Sequence, residues 1–131
     1  MSIFSKIVKG EIPSYKIAEN DKFYAFLDIF PVAKGHTLVI PKQEIDKLYD
    51  MPDDLLGEIL VFAKPIAKAI EKVMPCKRVG ISVIGLEVPH AHIHLIPINN
   101  ITDMDFSEKM KLSDDEMKEI QKKIVDALNG L

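Results

Sequence analysis

Residues 85–97 read GLEVPHAHIHLIP and carry three of the chain's four histidines, His90, His92 and His94, at every second position. A period of two is that of a β-strand, in which alternate side chains share a face and stand about 6.6 Å apart along it. The spacing therefore predicts a strand with two unlike faces. His90, His92 and His94 project together onto a wet, chemically active face, while Ala91, Ile93 and Leu95 project into a core.

Working outward, KRVGISVI (77–84) reads as the preceding strand. Upstream of it, Ile59, Ala63, Ile66, Ile70 and Val73 follow helical spacing and form the longest helix. Pro65 lies inside that pattern and cannot donate a backbone hydrogen bond, so a kink or a division into two helices is expected. TLVIP (37–41) is a short, nearly all-apolar strand. The segment 14–29 reads as two strands around a turn at Glu19-Asn20-Asp21-Lys22. Phe23, Ala25 and Leu27 point one way on the second of these, and Tyr24, Phe26 and Asp28 the other. At the start, Ser2 caps a short helix with Ile3, Phe4, Ile7 and Val8 at helical spacing, and Gly10 ends it. Downstream, residues 99–112 form a polar connection with scattered apolar anchors. Ser113 and Glu116 then have capping-box spacing, and Met117, Ile120, Ile124 and Leu128 stripe a final helix that Asn129-Gly130 ends. Hairpin-like neighbours and flanking helices give an α+β fold, an antiparallel sheet of about five strands with helices packed on it.

The 131 residues are expected to form a single domain spanning 1–131. A net charge of −3 with no long basic run argues against a general grip on nucleic acid. One cysteine, Cys76, excludes an internal disulfide and is read as structural. No apolar run has the length of a membrane span, and the charged N-terminus does not resemble a secretory signal, so a cytoplasmic protein is expected.

Three readings of the histidine row compete. Chance placement on a polar face suits a lone histidine better than three in alternation. A metal site is plausible chemistry, because His-x-His is a chelating pair and neutral imidazole suits zinc, with His36 or a carboxylate as a third ligand. The third reading is nucleophilic catalysis. A neutral imidazole carries a free lone pair, an acceptor on its other nitrogen aims that pair, and neighbouring histidines, if charged, donate protons or stabilise anionic oxygens. Spacing alone leaves metal and catalysis as rivals.

The segment HAHIHLI (90–96) resembles the histidine-triad pattern His-φ-His-φ-His-φ-φ, where φ is apolar. IFSKIVKGEIP (3–13), FYAFLDIFPVAKGHTLVIPK (23–42) and GLEVPHAHIHLIP (85–97) likewise resemble segments of the histidine triad family of nucleotide hydrolases and transferases, in family order and spacing. The resemblance implies that His92 attacks the α-phosphorus of a nucleotide derivative and forms a covalent nucleotidyl-histidine that water then releases. It places His94 beside the phosphate and leaving group, has His90 orient His92 partly through its carbonyl, and makes His36 the buttress of the network. Asp28 matches the acidic residue that accepts from the ribose hydroxyls, and a carboxylate has the two acceptor oxygens for it. Ile3, Phe4, Ile7, Phe26 and Ile29 match apolar positions that hold the base; read without the family, they are ordinary core.

The chain also departs from the pattern. Many relatives have Gly-Gln-Ser or Gly-Gln-Thr just before the triad. Here Gly85 matches, but Leu86 and Glu87 stand in the other two places, in a shorter loop. The hydroxyl that helps hold phosphate is therefore missing, and the Glu87 carboxylate would repel phosphate unless it turns away or pairs with a cation. Some relatives hold a structural zinc partly with Cys-x-x-Cys. Ser2 and Ser5 replace those cysteines, and Glu44 replaces a common histidine, so no metal and no other cofactor is expected. The implied function is hydrolysis at the α-phosphorus of a purine nucleoside phosphoramidate or related adduct by a homodimer joined sheet edge to sheet edge. The alternatives are a dinucleoside polyphosphate hydrolase and a low-turnover nucleotide-binding or regulatory protein.

Overall fold

Ser2 opens the first helix in the computed structural model, which describes residues 1–130. Its hydroxyl accepts from Ser5 N–H at 3.0 Å, the N-cap bond that a helix start leaves open, and α1 runs Ile3–Val8. The strands β1 (Lys16–Glu19) and β2 (Phe23–Leu27) follow. Asn20 Oδ1 turns the chain between them by accepting from the backbone N–H of Lys22 and Phe23 at 2.9 and 2.8 Å. Next come β3 (Thr37–Pro41), α2 (Asp53–Val73), β4 (Arg78–Ser82), β5 (Ile93–Ile98) and α3 (Asp114–Leu128). The strands form one antiparallel sheet in the order β1-β2-β3-β5-β4, as the α+β reading expects.

Alternation along the strands feeds two cores. Phe23, Ala25 and Leu27 of β2, Val39 of β3 and Ile93 and Leu95 of β5 face α2 and α3 and join the larger one. Ile59, Ile66 and Ile70 of α2 and Ile120 and Ile124 of α3 fill it. Each such fully buried side chain contributes about 1.5–3 kcal/mol. Tyr24 and Phe26 of β2 and Leu38 and Ile40 of β3 face the other way and pack with Phe4 of α1 in a smaller core. Ser113 caps α3 by accepting from Glu116 N–H, and Met117, Ile120 and Ile124 are its buried stripe.

Two expectations are corrected. Pro65 does not divide the long helix: α2 is one continuous helix of 21 residues. Pro65 lies on the solvent side, and the carbonyl it deprives of a partner belongs to exposed Val61, where water can replace the bond. The strand carrying the histidines is also shorter than the alternation predicts. β5 starts at Ile93, so His94 lies in it while His90 and His92 precede it. The cause is on the neighbouring strand. Pairing of β3 with β5 runs from Thr37↔Leu95 to Val39↔Ile93, and two residues further on β3 stands Pro41, which has no N–H to donate. The Pro41 carbonyl accepts from the His90 ring instead, and Ala91 N–H finds the Ile45 carbonyl at 2.7 Å. The faces keep their alternation through this irregular stretch, but the histidine face is not wet. His90, His92 and His94 are all buried.

Among the described residues, no helix is long and apolar enough to cross a membrane.

Candidate active site

Every histidine in the chain has at least one ring nitrogen committed to a fixed partner, and the partner's chemistry sets the tautomer. His90 Nε2 lies 2.8 Å from the Pro41 carbonyl. A carbonyl only accepts, so Nε2 carries the hydrogen and Nδ1 the lone pair. Ser2 Oγ, 2.7 Å from that Nδ1, donates to it. His92 Nδ1 lies 2.7 Å from the His90 carbonyl and donates to it by the same logic. In its neutral form His92 therefore has its lone pair on Nε2. On the far side, Val32 N–H donates to His36 Nδ1 at 3.0 Å, so His36 carries its hydrogen on Nε2 and donates to His94 Nδ1 at 2.9 Å. The neutral His94 ring is left with its hydrogen on Nε2.

The His92 and His94 rings are edge to face, with centroids 4.9 Å apart. Among the described residues, neither His92 Nε2 nor His94 Nε2 has a protein partner, and no fully buried polar side-chain atom is orphaned, so both nitrogens reach solvent. A lone pair and an N–H donor thus stand side by side at an opening in an otherwise buried row. Burial pushes His36 down to about 3 and His94 down to about 4, with neighbouring His94 and His92 respectively adding to the effect. His90 is lowered too, chiefly by burial. These rings are neutral at pH 7 in the unliganded protein, so His94 acts there as a neutral N–H donor instead of the charged group the sequence allows for.

Asp28 follows β2, where Phe30 N–H donates to its Oδ1 at 2.9 Å. Its Oδ2 is 3.7 Å from His36 Nε2, beyond hydrogen-bond reach, and burial raises its pKa. Phe4 packs edge-on against His92 (centroids 5.1 Å) and Phe26 (5.4 Å), and both phenylalanines are buried. Ile7 is half-buried on the same small core. Ile3 and Ile29 keep about half their surface open, at 50% and 56%. Gly85 adopts φ of +75°, a conformation that favours glycine, in the loop ahead of the triad. Glu87 in that loop is paired with Lys109, Nζ to Oε1 2.7 Å, which holds its carboxyl below the usual range.

Lys109 belongs to the connection after β5, in which the sequence announces polar character and scattered apolar anchors but no site residue. The same connection supplies Phe106, whose ring stacks edge-on against His94 at 4.8 Å and lies 6.1 Å from His36. Met110 N–H ties it to the Pro31 carbonyl at 2.8 Å. A lone aromatic in an acidic stretch was the available signal for this contact.

Asp28, His36 and His94 each offer one ligand atom, all within 4.8 Å of one another. The hydrogen-bond network does not suit a cation there. The His36 lone pair faces Val32 N–H, and its Nε2 carries the hydrogen that His94 receives.

Residues 9–101, most of the chain, match the HIT domain family. The chain belongs to the HIT family. Over 100 residues this HIT protein is 46% identical to adenosine 5'-monophosphoramidase HNT1 of Saccharomyces cerevisiae, a match covering 72% of the chain and 61% of the yeast protein. The aligned region is thus under two thirds of that relative's length. A HIT-like protein from Bartonella henselae has the same fold at TM-score 0.83 and 33% identity, over 96% of this chain and 95% of its own. A zinc-bound histidine triad family protein from Mycobacterium smegmatis superposes at TM-score 0.84 and 28% identity, over 98% and 93%.

In this HIT protein the residues around His90 do not fit a structural zinc. Ser5 Oγ donates to Glu44 Oε1 at 2.7 Å, Ser2 N–H donates to the same oxygen, and Ser2 Oγ occupies the His90 lone pair. These bonds hold the Glu44 carboxyl at about 2. Two hydroxyls are poor zinc donors, and the four residues already satisfy one another. They join the start of α1 directly to the first histidine of the triad.

Proposed function

We propose that this protein is a nucleotide hydrolase of the phosphoramidase type, a single catalytic domain cleaving at the α-phosphorus of a purine nucleoside phosphoramidate or a related adduct. One observation carries the reading: the His90 carbonyl holds His92 Nδ1, which leaves the Nε2 lone pair facing solvent beside the His94 N–H. That is the arrangement of an aimed nucleophile next to a donor for the leaving group. The likeness to a yeast adenosine 5'-monophosphoramidase supports the substrate class.

In this mechanism His92 Nε2 attacks phosphorus and the P–N bond to the leaving amine breaks. The amine keeps that electron pair and takes up one proton from solvent water, while His94 Nε2–H donates a hydrogen bond to it. The positive charge on the nucleotidyl-imidazole is stabilised where His92 Nδ1–H meets the His90 carbonyl. Water then attacks phosphorus, the P–N bond to His92 breaks back onto the ring, and the proton lost by water balances the one taken up. His36 positions His94, and Asp28 has a free Oδ2 for the ribose hydroxyls. Ile3 and Ile29 offer open apolar surface for the base, with Phe4, Phe26 and Ile7 packed beneath. Gly85 and Glu87 line the loop ahead of the phosphate. A homodimer through the free edge of β4 completes the proposal, since Ile81 on that strand is 54% exposed.

The test is rapid quenching with adenosine 5'-phosphoramidate followed by mass spectrometry. A nucleotidyl adduct on the peptide containing His92 is expected, with AMP released. His92→Ala should lose the adduct and about 10³-fold or more of the turnover while still binding AMP. Tight AMP binding by the unmodified protein with neither adduct nor turnover would establish the binding-protein reading instead. Preference for dinucleoside polyphosphates would favour the other hydrolase.

A further inference from the structure

We propose that Lys109 is the cation that grips the substrate's phosphate, and that Glu87 holds it in reserve until the phosphate arrives. The inference rests on the active-site reading above and adds a residue that lies outside every motif segment.

Three placements bring Lys109 to the site. Phe106, three residues earlier, is stacked on His94. Met110, the next residue, is tied by its N–H to the Pro31 carbonyl in the loop that also carries Asp28 and Val32. Glu87, two residues before Pro89-His90, receives the Lys109 ammonium at 2.7 Å. The connection therefore crosses from the triad to the β2–β3 loop, with Lys109 between its anchors. Its charge reaches Asp28, His36 and His94, lowering the proton affinity at each. The three histidines with lowered pKa are neutral at pH 7, so an anionic phosphate entering this row needs a counter-charge from elsewhere.

Glu87 is the obstacle and also the explanation. A free carboxylate here would repel phosphate, but the observed carboxylate is already neutralised by Lys109. The pair is open to solvent, with the Glu87 side chain 71% exposed, and such pairs are weak. A phosphate that also receives the His94 N–H can displace the carboxylate, which turns outward into water. Glu87 thus acts as an internal competitor for the anion site, and Lys109 as the residue that makes binding depend on phosphate charge.

Calorimetry with AMP and with adenosine separates the possibilities, using the unmodified protein, Lys109→Met, Lys109→Arg, Glu87→Gln and the Glu87→Gln/Lys109→Met pair. Lys109→Met should weaken AMP binding about 10-fold or more and leave adenosine binding unchanged, while Lys109→Arg retains most of the affinity. Glu87→Gln should tighten AMP binding, and that gain should vanish when Lys109→Met is also present. With adenosine 5'-phosphoramidate the loss in Lys109→Met should appear in KM before kcat. Unchanged AMP affinity in Lys109→Met, equal losses for AMP and adenosine, or weaker AMP binding in Glu87→Gln would each overturn the inference and leave the triad reading intact. If Lys109→Met fails to fold, Lys109→Gln takes its place, with the same loss expected for AMP and none for adenosine. An unmodified protein that binds neither AMP nor adenosine would overturn the active-site reading, and this inference with it.

Discussion

An imidazole has two nitrogens, and the chemistry of this row follows from which one is already bonded. The His90 carbonyl directs the His92 hydrogen, and a chain from Val32 N–H through His36 directs the hydrogen of His94. A peptide amide does not exchange its proton on the timescale of turnover at neutral pH, so that chain sets orientation and cannot pass a proton onward. Burial of these rings also has a measurable cost. With His36 at about 3 and His94 at about 4, both bind protons more weakly folded than unfolded, where 6.5 applies. Between about pH 6.5 and 4 the unfolded chain therefore holds more protons, and stability rises with pH across that window. His90 acts in the same direction, whereas Asp28, raised by burial, opposes it only in the carboxylate range. The Tm should fall as pH is lowered from 7 to 4.5, and His36→Asn should flatten the slope. A Tm that is level or rises on acidification would contradict the assignment of neutral rings.

Elements meet at Ser2, which caps α1 with one contact and fixes His90 with another. Ser2→Ala removes both and should cost about 2 kcal/mol in urea unfolding, while Ser2→Thr recovers much of it. A loss in Ser2→Ala no larger than an ordinary surface substitution would mean that the contact to His90 contributes nothing. The cap itself was legible in the sequence, because serine before an apolar helical run has one common use. Its second contact was not, because nothing local says that residue 2 will meet residue 90. The same division runs through the chain. Alternation in β2 and the stripe of α3 announce which faces are buried, since each depends only on neighbours along one element. Pro65 leaves α2 undivided because it faces water, which its sequence position does not say, and the histidine strand is overextended because the limit lies at Pro41, on a different strand. The triad and its fourth histidine were readable from their spacing and family likeness, whereas Phe106 and Lys109 reach the site only through tertiary folding.

At the scale of the molecule, β4 is a sheet edge, and the apolar surface continues past it through Val83 and Ile84 to Leu86, which is 88% exposed. Edge strands that present such surface pair with something unless charge prevents it. If the proposed edge-to-edge dimer forms, Ile81→Lys should shift the sedimenting species from dimer to monomer. A protein that is monomeric before the substitution would refute the edge-to-edge arrangement. The sheet also separates two kinds of work. Most of the cohesion lies on the side of α2 and α3, and the histidines lie on the other side with the small core of α1. Loss of the proposed reaction therefore need not bring collapse: a descendant of this chain whose triad has decayed would still be a sound container, available for some other occupant of the same hollow.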